Sequence, residues 1–174
     1  MIWIAESYAA LRDFFEAGGD VLWAILVVTI LLWTFILERY WYFRLIQPRK
    51  TREALEKWNA MSDHDSWYAR EYRERLLSEI RVDASQFIIY IKTIVAVLPL
   101  LGLLGTVTGM IQVFDVMTVL GTGNPRAMAG GVSAATIPTM SGMVAALSGL
   151  YFAASLDKRA KVEVERAADL LRYH

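Results

Sequence analysis

Three stretches of this 174-residue chain carry no charged side chain: residues 21–37, 93–114 and 127–156. A helix needs about 20 mostly apolar residues to cross ~30 Å of hydrocarbon. The second stretch, bounded by Lys92 and Asp115, covers about 34 Å at ~1.5 Å per residue. The third, bounded by Arg126 and Asp157, is longer, so it tilts or sends one end into the headgroup layer. The first sits near the lower length limit of roughly 17 residues. The aromatic cluster Tyr40, Trp41, Tyr42 and Phe43 reads as an interfacial belt that extends it. Charge-free helices of this length are rare in water-soluble cores. The expected fold class is an all-α membrane protein with three transmembrane helices.

Composition agrees and excludes several functions. Hydrophobic residues make up 56% of the chain and mean hydropathy is +0.36. Lys and Arg total 18, as do Asp and Glu, so the basic excess that nucleic acid demands is missing. Without cysteine there is no disulfide, thiolate metal site or thiol nucleophile. The first apolar stretch is not expected to be a cleavable signal: its upstream flank is acidic and no small-residue cleavage site follows. His64 and His174 stand alone, without metal-ligand spacing, and are expected at the surface. No nucleophile–base pair, metal cluster or phosphate loop is present. An enzyme, a cofactor and a metal site are therefore not expected.

Orientation follows from the flanks. Before Val21 there is one basic residue, Arg12, against Glu6, Asp13, Glu16 and Asp20; residues 38–92 hold eleven Lys/Arg. The tail adds Lys158, Arg159, Lys161, Arg166 and Arg172, whereas the loop between the second and third spans has only Arg126. Positive-inside reasoning puts the N-terminus outside, and the middle segment and tail inside. The expected organisation is an outer segment at 1–20, spans at 21–40, 92–117 and 130–156, a cytoplasmic helical region at 41–91, an outer loop at 118–129, and a cytoplasmic C-terminal helix at 157–174.

The cytoplasmic parts have helical periodicity. Tyr68, Tyr72, Leu76 and Ile80 recur every four residues, a stripe on one face. Ser62 and Asp65 ahead of it form a weak cap-like start. No breaker follows, so one helix is expected from about Ser66 to Met117. Leu156, Ala160, Val164, Ala167 and Leu171 mark a second stripe, which carries the third span on to about Arg172. A short helix at residues 52–60, the other cytoplasmic helix or neighbouring subunits must cover these faces.

The second and third spans differ in kind from the first, which is bulky and featureless. They are dense in small residues, among them Gly102, the Gly105/Gly109 pair and Gly142 with Ala146. In lipid, small residues let helix backbones approach closely. Pro99 and Pro138 each remove a helix hydrogen bond and are expected to kink their spans. Hydroxyls at Thr106, Thr108, Ser133, Thr136, Thr139 and Ser141 bond either their own helix or a neighbour. Thr106 and Thr139 fall at similar depth on adjacent helices, about 14 Å and 13 Å from the outer ends of their spans. No Asp, Glu, His, Lys or Arg lies inside the three charge-free stretches, residues 21–37, 93–114 and 127–156. Proton relays in membranes use such groups, so either this chain moves no protons or a partner helix brings the carboxylate.

The run Gly102-Leu-Leu-Gly-Thr-Val-Thr-Gly109, followed by Met110-Ile111, resembles the second-span motif of the ExbB/TolQ/MotA family. Ala129-Gly-Gly-Val-Ser through Thr139-Met-Ser-Gly-Met-Val-Ala-Ala146 is similar to that family's last span. The match covers residues 99–156 and is closest to a compact ExbB; the flagellar stator type, with four spans, fits poorly. The resemblance implies a homopentamer in the bacterial inner membrane around an ExbD-like single-span partner that contributes a membrane aspartate. Proton flow would drive that motor, and force would pass to a TonB-like protein that energises outer-membrane transport. It further implies that Thr106 and Thr139 face the pore as a proton pathway. One departure stands out: where many ExbB proteins carry a third-span glutamate, this chain has Ala134. A TolQ-like envelope-maintenance subunit is the same-family alternative, and a passive membrane scaffold is the alternative of another class. In each, membrane lipids are partners.

Overall fold

The computed structural model describes residues 2–61, 66–120 and 125–171. Among these, the elements are α1 (Ile2–Trp41), a π-helical turn (Tyr42–Ile46), α2 (Gln47–Asn59), α3 (Trp67–Ser85), α4 (Ile88–Leu120) and α5 (Pro125–Leu170). Three helical runs, Gly18–Asn59, Trp67–Val119 and Met128–Leu170, are long and apolar enough to cross a membrane. The protein is an all-α membrane protein with three transmembrane helices. The cap-like pair Ser62/Asp65, both histidines and Arg172 lie outside the described residues.

The chain divides into two compact units. The first comprises residues 1–32 and 93–149. Within it, α1 bends at Gly19, where φ is 65° and ψ −165°, a conformation that a Cβ disfavours. Residues on either side secure the bend: the rings of Phe15 and Trp23 lie 4.7 Å apart, and a Cβ on Gly18 would meet Leu22 at 2.5 Å. Pro99 and Pro138 sit inside continuous helices. Where three helices meet, Leu32 and Val95 fill the space that a Cβ on Gly149 would occupy, at 2.6 and 2.7 Å.

The second unit comprises residues 33–92 and 150–174. Its core joins Ala54, Trp58, Ala69, Leu76, Ile80, Ala167 and Leu171. The C-terminal stripe is thus buried as its periodicity predicts. The α3 stripe is buried at Leu76 and Ile80, but Tyr68 is 64% exposed. A four-residue repeat advances about 400° and drifts around the helix, so Ala69 takes the buried position at that end. Ser66 caps α3, its Oγ accepting from the Ala69 N–H at 3.3 Å. Lys92 donates to Asp157 at 2.8 Å. Hydrogen bonds from Lys92 and then Lys161 hold the Asp157 carboxyl below its usual value.

Arg73 closes the end of α5. Its Nε donates to the Leu171 carbonyl at 2.5 Å and its Nη2 to the Ala168 carbonyl at 3.0 Å. The last four carbonyls of a helix lack ladder partners, and a cation there also complements the helix dipole. Arg73→Leu should therefore destabilise this unit by about 2 kcal/mol. Urea titration followed by Trp58 fluorescence, in a background with the other five tryptophans replaced by Phe, would read this; an unchanged midpoint would make the cap energetically idle.

The single helix expected from Ser66 to Met117 is present as one run, Trp67–Val119, with a local interruption at Gln86 and Phe87. The run stops after Ser85 and resumes at Ile88, although no Gly or Pro lies between residues 80 and 98. The Asp83 carbonyl, which a continuous helix offers to the Phe87 N–H, accepts Nη1 of Arg39 at 3.0 Å. A side chain inserted into the ladder is a recognised cause of helix interruption.

Candidate functional site: the seam between the second and third spans

The small residues singled out in α4 and α5 face one another. A Cβ on Gly109 would lie 2.6 Å from the Ala135 Cα, and one on Gly142 would lie 2.6 Å from the Leu98 carbonyl oxygen. On Gly102 it would lie 3.0 Å from the Thr139 Cα; Gly105 abuts Pro138, and Gly131 abuts Val113. The antiparallel register is thereby fixed: Leu98 with Gly142, Gly102 with Thr139, Gly105 with Pro138, Gly109 with Ala135, Val113 with Gly131. On α4 these positions recur every three or four residues, which is one helix face. Backbones this close replace the hydrophobic drive that lipid removes.

Of the candidate hydroxyls, Thr139 crosses the seam. Its Oγ1 donates to the Gly102 carbonyl at 2.9 Å. Thr106 instead bonds its own helix at the Leu103 carbonyl, 2.6 Å away. Thr108, Thr136 and Ser141 also bond carbonyls three or four residues back. The register sets Thr106 and Thr139 within about one helical turn (~5.4 Å) along the seam. Both are half-buried.

Pro138 has no N–H for the Ala134 carbonyl. Its ring instead fills the space left by Gly105, where any Cβ would collide with it. Ala134 is half-buried and lines a cavity of about 450 Å³ together with Glu16, Asp20, Thr108 and Gln112. An apolar groove of about 530 Å³ runs between α1 and α5, lined by Phe14, Phe15, Ile25, Met140 and Val144. Large side chains on the outer faces, such as Leu100, Leu103, Val107, Val144 and Leu147, are more than half exposed. A single protomer leaves them to lipid or another chain.

Chemically the seam offers hydroxyls and carbonyls. Its side chains can orient a water or donate to an anion, but none can hold a charge at neutral pH. Two features escaped the sequence reading. Gly131 is a seam residue, detectable by small-residue density but lacking a partner until the register was known. Arg39 is buried, and nothing in the local sequence separates it from the exposed Arg44.

Comparison with known proteins agrees with this architecture. The profile of the MotA/TolQ/ExbB proton channel family matches residues 44–169. "Putative biopolymer transport protein ExbB-like 3" of Synechocystis sp. is 30% identical, over 79% of this chain and 80% of its own. "Putative biopolymer transport protein ExbB-like 1" of the same organism is 29% identical, over 80% of this chain and 68% of its own. Three apolar helices together with this likeness make the protein a multi-pass inner-membrane protein, and the matching family is one of proton channels. On residues 44–169 and on the two-span seam within them, the chain belongs to the MotA/TolQ/ExbB proton channel family.

Proposed function

We propose that this chain is the ExbB-type subunit of a proton-driven inner-membrane motor that energises TonB-dependent outer-membrane transport. The observation that carries the reading is the combination of a tight, hydroxyl-bearing α4–α5 seam with apolar stretches at 21–37, 93–114 and 127–156 that hold no Asp, Glu, His, Lys or Arg. A proton machine built on such spans needs a carboxylate from elsewhere. An ExbD-like single-span chain with one membrane aspartate supplies it, and a homopentamer gives that span an enclosing ring. The outward apolar faces of α4 and α5 suit such packing. Thr106 and Thr139 are the proposed pore-lining stops for the aspartate. The two ExbB-like relatives favour this over a TolQ-like role.

The test is proton flux. The chain is purified with a co-expressed ExbD-like single-span protein and reconstituted in liposomes under a pH gradient. Uptake that depends on the partner, and disappears when the partner's aspartate becomes Asn, is the expected result. A complex that assembles yet passes no protons would be a passive scaffold. A TonB-like or a TolA-like third component in the same complex separates the two motor types.

The orientation has its own test. The N-terminus should lie outside, and Lys57 and Lys161 inside, because the basic residues cluster on residues 38–92 and on the tail. The chain lacks cysteine, so single cysteines at Glu6, Lys57 and Lys161 give clean reporters. In intact spheroplasts a membrane-impermeant thiol reagent should label only position 6. Labelling at 57 or 161 would reverse the topology.

A further inference from the structure

By sequence, Arg39 belongs to the basic flank of the first span, where a solvated side chain is expected. In the structure it is 1% exposed. Its Nη1 donates to the Asp83 carbonyl at 3.0 Å. Its Nε lies 3.4 Å from the Glu38 carboxylate, a charge contact without hydrogen-bond geometry. Its guanidinium sits over two rings, 4.5 Å from the Tyr42 centroid and 4.6 Å from that of Phe87. Burying a cation is costly unless it is paired, and the pairing here is mostly to a backbone carbonyl and two aromatic faces. Lys50 holds the Asp83 carboxylate, so both polar groups of Asp83 are engaged by cations.

A carbonyl oxygen can accept two donors, yet at Asp83 the bond from Arg39 is not accompanied by one from the Phe87 N–H. In an unbroken helix the Asp83 carbonyl accepts from that N–H. Here the α-helical run is interrupted at Gln86 and Phe87 and the ladder resumes with Ile91 N–H to Phe87 O at 3.1 Å. Gln86 keeps right-handed helical angles, φ −50° and ψ −50°. The backbone is therefore already close to helical, and the segment lacks the Gly or Pro that ordinarily breaks a helix. The Ser85 hydroxyl bonds the Arg81 and Val82 carbonyls, a local perturbation that ordinarily destabilises a helix only slightly. One ring of the clamp belongs to Phe87 itself, so the residue whose N–H is displaced also holds the displacing cation.

We propose that Arg39 is a positioning residue that keeps the α3–α4 junction open by occupying the Asp83 carbonyl. The alternative state has the carbonyl bonded to the Phe87 N–H and α3 joined to α4 as one helix, with a different rotational register between α3 and the first turn of α4. The inference stands on this junction alone and does not depend on the proton-pathway reading.

Hydrogen–deuterium exchange on the full-length chain in lipid nanodiscs tests it through its sign. Removing a residue that merely fills space loosens its surroundings and speeds exchange. Removing Arg39 as the competitor lets the ladder close. In Arg39→Met the amides of residues 86–88 should exchange roughly tenfold more slowly than in the wild type, as a newly formed backbone bond predicts. Phe87→Ala, a milder change that removes one ring of the clamp and keeps the backbone N–H, should slow them roughly threefold after correction for intrinsic rates. Should Arg39→Met fail to fold, Phe87→Ala decides alone. Exchange at or above the wild-type rate in the folded variants would overturn the proposal and leave Arg39 as a packing residue.

Discussion

Gly109→Ala should destabilise the membrane-embedded unit by about 2–3 kcal/mol, because a single added methyl has nowhere to go. Its Cβ would sit 2.6 Å from both Cα and Cβ of Ala135 and 3.0 Å from that residue's nitrogen. All three atoms are backbone or bound directly to it, so the collision cannot be relieved by a rotamer change. The helices must separate, which also strains the hydrogen bond from Thr139 to the Gly102 carbonyl two turns away. Gly130→Ala is the matched control. No atom lies within 4 Å of the position its Cβ would take, and removing a helical glycine should stabilise by up to ~1 kcal/mol. Titration with a denaturing detergent, followed by helicity, compares the two. Equal midpoints would mean that the seam is loose and its glycines incidental.

What the sequence disclosed and what it hid divide along a physical line. The spans were legible because absence of charge over about 20 residues is a property of the chain alone. The C-terminal stripe through Leu156, Ala160, Ala167 and Leu171 was legible because helical periodicity is equally local. The seam was half legible: the density of glycine marked the two interior helices, but the pairing of Gly102 with Thr139 and of Gly109 with Ala135 depends on the register between helices. For the same reason the hydroxyls could not be told apart. Thr106 and Thr139 look alike in sequence, yet one bonds its own helix and the other its neighbour. The interruption after Ser85 was hidden because the donor that the Asp83 carbonyl meets lies 44 residues away, at Arg39. Burial of Arg39 was hidden too, since a flanking arginine beside Glu38, Tyr40 and Trp41 has every local mark of an interfacial residue.

The Thr106→Val/Thr139→Val double variant should remain assembled while energised transport falls about tenfold or more, on the proposed reading of the seam. A carboxylate in a lipid-like interior protonates unless something solvates it. Both hydroxyls are now committed to carbonyls, Thr106 to Leu103 and Thr139 to Gly102, so each must rotate to donate to a passing aspartate. The rotation costs little. Both carbonyls lie within α4, and in a regular helix each also has an N–H four residues on, Val107 for Leu103 and Thr106 for Gly102. Each hydroxyl can therefore leave its carbonyl without orphaning it, and the proposed stop is a donor held in reserve. Valine keeps the shape and removes the donor. The stability loss should be small, about 0.6 kcal/mol for the hydrogen bond across the seam and less for the back-bond, so loss of function without loss of assembly is the expected signature. Growth on an iron source taken up through an outer-membrane receptor, in a strain that depends on this chain, measures the first; native mass spectrometry of the extracted complex measures the second. Full growth of an assembled double variant would make both hydroxyls packing groups and move the search for the aspartate's stops to other residues.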